Sequence, residues 1–164
     1  MTSTQSPPGV AGRPTVGAFR SCILPLAVAQ TIVWAAVYYS FAGLLPRWEA
    51  DLGWSKAEIT GAFTLALVLS GLAAPKTGAL IDRGHGRQLL VWGSVIAAAL
   101  LVALSQVTSL VAFYAVWAAL GLTMAAILYE PCFALLTVRY GDGARRAITQ
   151  VTLVAGFAGT VSFP

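Results

Sequence analysis

The sequence is 164 residues long, 58% hydrophobic and only 10% charged, with a mean hydropathy of +0.79. Soluble domains average roughly 45 to 50% apolar and about 25% charged residues, so the composition excludes an ordinary soluble domain and predicts an integral membrane protein. The net charge of +4 comes from short clusters of Lys and Arg between long apolar runs. That pattern is typical of membrane-flanking loops and excludes a nucleic-acid-binding surface.

The first residues, 1–18, are rich in Pro, Gly, Ser and Thr, and we predict that they form a disordered cytoplasmic tail. The remainder, 19–164, is predicted to be an all-α transmembrane domain, because its uncharged runs approach or exceed the roughly 20 residues that cross a hydrocarbon core of ~30 Å. The polar segment 105–109 divides a run of 42 uncharged residues into two spans. The predicted spans are 19–46, 56–81, 88–104, 110–138 and a truncated 147–164.

The distribution of positive charge predicts the orientation of these spans, since short cytoplasmic loops retain Lys and Arg. With the N-terminus inside, eight of the ten Lys and Arg residues are cytoplasmic, and only Arg47 and Lys56 are outside. We therefore expect a multi-pass protein of a bacterial inner (plasma) membrane with a cytoplasmic N-terminus.

The segment that joins spans one and two carries local signals. Ser55 and Glu58 have the spacing of a capping box that opens the second helix, and Trp48 and Trp54 suit an interfacial aromatic belt. Three small residues at four-residue spacing in span two predict a groove where another helix approaches closely. They are Ser70, Ala74 and Gly78.

One carboxylic acid, Glu130, lies deep inside a predicted span. It is nine residues from Arg139, or roughly 13 Å at ~1.5 Å per residue, which is near the middle of the core. Charge at that depth is costly, and such residues usually face a cavity or a partner. Pro131 lacks a backbone donor, so we predict a less well satisfied carbonyl near Ile127 and a kink. Glu130 is either a protonatable site that faces a cavity or a neutral carboxyl hydrogen-bonded between helices for packing.

Span one offers a surface that would face Glu130. Gln30, Trp34 and Tyr38 recur at four-residue steps along one helical face, at nearly the depth of Glu130, and Tyr129 adds a phenol beside that carboxyl. We predict that these five residues bind substrate or couple protons, although a packing stripe is the alternative for span one. His85 is the only histidine, so neither a metal site nor a Ser–His pair is expected, and we predict no cofactor and no enzyme activity.

The cytoplasmic end of span two carries a recognisable motif. Residues 78–87 read Gly-Ala-Leu-Ile-Asp-Arg-Gly-His-Gly-Arg, which resembles the loop motif Gly-x-x-x-Asp-Arg-x-Gly-x-Arg that the major facilitator superfamily carries between its second and third helices. The second glycine of the motif falls at His85, and this chain has a glycine on either side of it. The resemblance implies that five residues secure a cytoplasmic gate: Gly78, Asp82, Arg83, Gly86 and Arg87.

That family has twelve helices in two halves, so the resemblance implies that this chain is part of an N-terminal half. Further likeness, at Tyr39-Ser40 and Gly53-Trp54-Ser55 among others, is to the branch that includes monocarboxylate and oxalate/formate carriers. We therefore expect an N-terminal fragment of a proton-coupled secondary transporter that moves a small organic solute, such as a carboxylate, by alternating access. Its partners would be the bilayer, the solute, protons and the missing C-terminal half. The alternative is a non-transport tetraspan protein with an assembly or structural role, which requires only spans and packing faces.

Overall fold

The computed structural model describes residues 23–156, and this part of the chain is almost entirely helical. The predicted tail, the first residues of the first predicted span and the last residues of the fifth lie outside this range. Two π-helical segments, Trp34–Tyr39 and Ile81–His85, and a 3-10 turn at Gly141–Gly143 join or follow α-helices. The α-helices are α1 (Leu24–Val33), α2 (Ser40–Leu52), α3 (Lys56–Leu80), α4 (Gly86–Leu104), α5 (Leu110–Ile127), α6 (Tyr129–Tyr140) and α7 (Ala144–Ala155).

Three continuous helical stretches are long and apolar enough to cross a membrane: Leu24–Leu52, Lys56–Leu104 and Leu110–Ala155. The second and third stretches contain 49 and 46 residues, which at ~1.5 Å per residue would be more than twice the thickness of a ~30 Å hydrocarbon core. Each of them doubles back at a glycine with positive φ, Gly84 (φ 89°) and Gly141 (φ 50°), a conformation that glycine adopts without steric cost. The described chain therefore forms five rods.

Side-chain contacts show how these rods run past each other. Along the first rod, Gln30 meets Ile127 of α5, whereas Phe41, further along, meets Trp117 with ring centroids 5.2 Å apart. The first rod is therefore antiparallel to α5. The connections 53–55 and 105–109 consequently share one end of the bundle, and the turns Ile81–His85 and Gly141–Gly143 share the other.

Two helices extend past the ends of the spans predicted for them. The first helix does not end at Pro46 but continues to Leu52, where Gly53 adopts φ 68° and its amide donates to the Glu49 carbonyl at 3.2 Å. A left-handed glycine of this kind is a common helix stop. The helical segment over the predicted span 110–138 is interrupted at Leu128, close to the predicted kink, and continues to Tyr140.

The closest helix packing lies between α3 and α5. Ala62 and Ala66 of α3 are fully buried, and a Cβ built on Gly121 of α5 would collide with the backbone oxygen of Ala66 and lie 2.6 Å from its Cα. Ala62 and Ala66 begin a four-residue row of small residues that continues through the predicted groove at Ser70, Ala74 and Gly78. A Cβ at Gly78 would meet no described atom within 4 Å, so the expected close approach is not found there.

The buried side chains form two clusters that meet near the middle of α5–α6. The larger cluster surrounds Trp117 and Phe113, and the tryptophans predicted as interfacial anchors belong to its edge. Trp48 and Trp54 pack against Phe113 with ring centroids 5.2 and 5.3 Å apart. The smaller cluster joins the start of α1 to α6 and α7, and consists of Ile23, Ala27, Cys132, Leu136, Ala147 and Val151.

The outer surface of the bundle is apolar, as a lipid-facing surface should be. Trp92 of α4 is 65% exposed and Val111 of α5 is 82% exposed, and a soluble monomer rarely leaves such side chains in large contiguous patches. At the boundary with water, the predicted capping box is confirmed. The Glu58 amide donates to Ser55 Oγ at 3.3 Å, and the Ser55 amide donates to Glu58 Oε2 at 2.8 Å.

Candidate functional site

The centre of the candidate site is a break in the helix formed by α5 and α6. Leu128 has φ −76° and ψ −161°, an extended conformation between two helical residues. Pro131 explains the position of this break, because a proline ring clashes with the carbonyl four residues earlier and supplies no N–H to it. That carbonyl belongs to Ile127. The kink predicted from Pro131 is therefore confirmed, with one non-helical residue, Leu128, between α5 and α6.

The freed carbonyl finds a new donor on the first helix. Gln30 Nε2 donates to the Ile127 carbonyl oxygen at 3.0 Å, and Gln30 is 2% exposed. Within a bilayer, irregular backbone is tolerated only where its polar groups are satisfied by protein or by water. Gln30 supplies that donor, which also confirms that Gln30 lies at the depth of the break. Its other amide atom, Oε1, is buried and has no hydrogen-bond partner among the described residues.

An aromatic cluster surrounds the break, and we define it as Trp34, Tyr38, Tyr39, Tyr129 and Phe133. Trp34 packs against Tyr129 with ring centroids 4.7 Å apart, and Tyr129 stacks on Phe133 at 5.1 Å with an angle of 13° between the rings. On the other side, Trp34 contacts Tyr38 at 5.1 Å and Tyr39 at 6.2 Å. The structure therefore brings together four of the predicted site residues: Gln30, Trp34, Tyr38 and Tyr129.

Two members of the aromatic cluster were not predicted, Tyr39 and Phe133. Tyr39 joins because Trp34–Tyr39 is π-helical, and hydrogen bonds to the fifth preceding residue bring positions i and i+5 close together. An α-helical period of 3.6 residues gives no signal for this contact. Phe133 is four residues after Tyr129 on the new helix α6, and the i, i+4 spacing was a usable signal once the break had been placed.

Glu130, the fifth predicted site residue, lies in the first turn of α6 and is exposed. It makes no hydrogen bond or ion pair with any residue in 23–156. A carboxylate in the first turn interacts favourably with the positive end of the helix dipole. Glu130 is also one helical turn before Phe133, so it lies at the border of the aromatic cluster. Its carboxyl is therefore available to a ligand.

The gate-loop motif forms the turn between α3 and α4. Gly84 has φ 89° and ψ 7°, and it reverses the chain. Gly86 is buried, and a Cβ built on it would lie 3.4 Å from Ile81. The two glycines that flank His85 thus have separate roles, one in the turn and one in packing. The charged residues of the motif are all exposed, and no ion pair with another described residue is found for Asp82, Arg83 or Arg87.

Two open clefts lie elsewhere on the bundle and contain none of the five predicted binding residues. One, of about 500 Å³, lies between α2 and the end of α4, with the Arg47–Asp51 ion pair (3.2 Å) on its wall. The other, of about 370 Å³, is an apolar cleft between α4 and α5 with His85 at one end. Within residues 23–156, no group of three or more His, Cys, Asp or Glu side chains is placed to hold a metal ion.

A scan against models of known families, a search of curated proteins and a search of solved structures each found no match for this chain. The functional assignment therefore rests on the residues and their geometry.

Proposed function

We propose that the chain is the N-terminal part of a proton-coupled secondary active transporter that moves a small organic solute by alternating access. The observation that carries the proposal is the break in the helix at Leu128. Beside it, Gln30 donates to the Ile127 carbonyl, and the exposed carboxyl of Glu130 lies two residues after Leu128. Interrupted helices near the middle of the bilayer are typical of the substrate and ion sites of secondary transporters. A protein with a purely structural role would gain nothing from a helix break and a costly carboxylate at this depth.

The resemblance of residues 78–87 to the loop motif of the major facilitator superfamily supports the same function. In that family the motif secures a cytoplasmic gate between two six-helix halves. The exposed side chains of Asp82, Arg83 and Arg87 leave their charges available to a second half. The proposal therefore includes a C-terminal partner half, without which the solute site has only one wall and the chain alone does not transport.

Glu130 is the proposed coupling group. A carboxyl that faces a cavity open to one side of the membrane at a time takes up a proton on the acidic side and releases it on the other. If the solute is a carboxylate, as the likeness to monocarboxylate carriers suggests, a charged Glu130 repels it, and proton and anion must load together. If the solute is a cation, it competes with the proton for Glu130.

The test uses the complete transporter, obtained by expressing the gene with its in-frame downstream sequence and reconstituting the product in liposomes. A pH difference across the membrane should drive solute accumulation, and Glu130→Gln should abolish the dependence of uptake on pH. Substitutions of Gln30, Trp34, Tyr38 or Tyr129 should change the apparent affinity for solute more than the coupling.

Glu49→Gln is the matched control, because Glu49 lies near the end of α2, remote from the break. Its uptake should keep the wild-type dependence on pH. Unchanged pH-driven accumulation by the Glu130→Gln transporter would overturn the coupling role of Glu130, and absence of any solute flux would overturn the proposal as a whole.

A further inference from the structure

The geometry points to an organic cation, a protonated or quaternary amine, as the solute that the aromatic cluster and Glu130 bind. This inference rests on the proposed function and names the class of its substrate. Glu130 alone is compatible with either an anionic or a cationic solute, and this inference selects the cation. It uses two residues that the sequence did not reveal, Tyr39 and Phe133.

The first argument is the density of aromatic faces around the break. Trp34, Tyr129 and Phe133 form a continuous row, with neighbouring ring centroids 4.7 and 5.1 Å apart. Tyr38 and Tyr39 extend the row along the first helix, with ring centroids 5.5 Å apart. All five rings are only partly buried in the described chain. Ring faces attract cations, Trp most strongly, and aromatic cages are a recurrent way to bind quaternary ammonium groups.

The second argument is the sign of the nearby charge. The segment 21–46, which carries three of the rings, contains no Lys or Arg, and the nearest basic residue to Glu130 along α6 is Arg139, nine residues away. On these two segments a bound carboxylate would therefore find no cationic partner near Glu130 of the kind that anion sites normally supply. Glu130, by contrast, gives the site a negative charge. The positive end of the α6 dipole does not favour an anionic solute, because Glu130 itself occupies the first turn.

The third argument concerns exchange with protons. The other ionisable side chains on Trp34–Tyr39 and α6, the segments that carry the aromatic cluster, are the phenols of Tyr38, Tyr39, Tyr129 and Tyr140, the thiol of Cys132 and the guanidinium of Arg139. Glu130 is the one carboxyl among them. When a monovalent cation binds, the protonated carboxyl releases one proton and the carboxylate holds one cation. The net charge of the site is unchanged, so the exchange is electroneutral and its stoichiometry is one to one.

The experiment measures binding to the complete transporter, with both walls of the site, in lipid nanodiscs by equilibrium dialysis with radiolabelled choline. Two competitors of the same shape separate charge from size: the neutral 3,3-dimethyl-1-butanol and the anionic 3,3-dimethylbutanoate. Choline should bind, the alcohol should compete at least tenfold more weakly than unlabelled choline, and the carboxylate should not compete. Choline affinity should fall as the pH is lowered, because protons compete for Glu130.

Two variants locate the site. Glu130→Gln should weaken choline binding at least tenfold and remove its dependence on pH. Trp34→Leu should weaken it about three- to thirtyfold, the range that a partly desolvated cation–π contact gives, and Trp34→Phe should lose less. The matched controls are Glu49→Gln and Trp92→Leu, because Trp92 faces outward on α4. Both should bind choline as the unmodified chain does, and circular dichroism checks that each variant keeps its helix content.

Tighter binding of the carboxylate than of choline, equal binding of choline and its neutral analogue, no choline binding, or wild-type choline binding by Glu130→Gln would each overturn the cation assignment. These outcomes are distinct from failure of the transporter proposal. If choline binds but the complete protein moves no solute across liposome membranes, transport fails and the cation assignment stands. If the complete protein accumulates a carboxylate and not choline, the reverse holds.

Discussion

Gln30 and Pro131 act as a pair, although they are far apart in the sequence. Pro131 removes the amide that would have donated to Ile127, and Gln30 restores a donor from another helix at 3.0 Å. Pro131 sets the position of the break, and Gln30 satisfies the carbonyl that the break frees. A proline without Gln30 would leave a buried carbonyl unsatisfied, and a glutamine without Pro131 would have no carbonyl to bind.

We therefore predict that Gln30→Met destabilises the bundle by about 1–2 kcal/mol, the range for an interhelical hydrogen bond in a membrane protein and for a buried acceptor left unpaired. In a Pro131→Ala background, the amide of residue 131 again reaches Ile127, so the same substitution should cost less than about half as much. Denaturant unfolding in micelles, followed by circular dichroism, measures both costs. Gln88→Met, at an exposed position of α4, is the control. Equal costs in the two backgrounds would show that Gln30 does not act through the Ile127 carbonyl.

For individual residues, the sequence was informative where the covalent structure of the side chain determines the local conformation. The missing amide of Pro131 predicts a kink whatever surrounds it. Gln30 is ten residues from Arg20 and Glu130 is nine from Arg139, which predicts similar depths for the two side chains. The contact of Tyr39 with Trp34 was not predictable, because it depends on a π-helical segment that no residue in Trp34–Tyr39 announces.

At the scale of the elements, glycines determine both the turns and the closest packing. Their spacing in the sequence does not say which glycine lies in a turn and which lies at a helix contact. Gly78 lies in a regular row of small residues, yet nothing described lies within 4 Å of its position for a Cβ. Ala66 lies earlier in the same row, and there α3 touches Gly121 of α5 through the two backbones. Spacing identifies helix faces that permit close approach. Which face is used depends on where the neighbouring helices lie, and that is a property of the whole bundle.

Gly121→Ala should consequently destabilise the chain by about 1–3 kcal/mol, the usual cost of inserting a methyl group into a well-packed interior. The matched substitution Gly71→Ala, on α3 at an exposed site with no atom within 4 Å, should be neutral or stabilising by up to about 1 kcal/mol through helix propensity. Thermal unfolding of the two variants in the same detergent gives the comparison. Equal stability of the two variants would contradict the backbone contact between α3 and α5.

At the scale of the whole molecule, the alternation of the rods was predictable from the lengths of the apolar runs. The true helix ends were not. The uncharged run ends at Pro46, but the helix continues to Leu52 because the residue that ends it is Gly53. The orientation of the bundle in the membrane stays a prediction, based on the asymmetry of Lys and Arg.

Single cysteines test that orientation in a chain whose native Cys22 and Cys132 have been replaced. An impermeant maleimide added to intact cells should label Ala50→Cys and Val107→Cys, which lie at the end of the bundle predicted to be outside. His85→Cys should react only after the membrane is permeabilised. The opposite pattern would invert the topology and would remove the basis for a cytoplasmic gate loop.

Asp82 is expected to act on the complete transporter and not on the stability of this chain, because its carboxyl is exposed and has no partner in 23–156. Asp82→Asn should impair transport, or shift the balance between inward- and outward-open forms, with normal membrane insertion. Asp142→Asn is the control, since Asp142 is an exposed carboxylate in the other turn at the same end. If the Asp82→Asn variant took up solute as the control does, the only role left for the motif would be to set the orientation of the helices in the membrane.

The division of the interior into two clusters has a consequence for how the bundle opens. The smaller cluster contains a single thiol, Cys132, which is fully buried where α1, α6 and α7 meet. In a variant that lacks Cys22, a small alkylating reagent would react only with molecules in which α1, α6 and α7 have briefly separated. The observed rate of alkylation is then the equilibrium constant for this opening multiplied by the alkylation rate of an exposed thiol. The sulfur of Cys132 thus reports how often the smaller cluster opens. Comparison of the free energy of this opening with the free energy of global unfolding would show whether the smaller cluster opens alone or only when the larger cluster also unfolds.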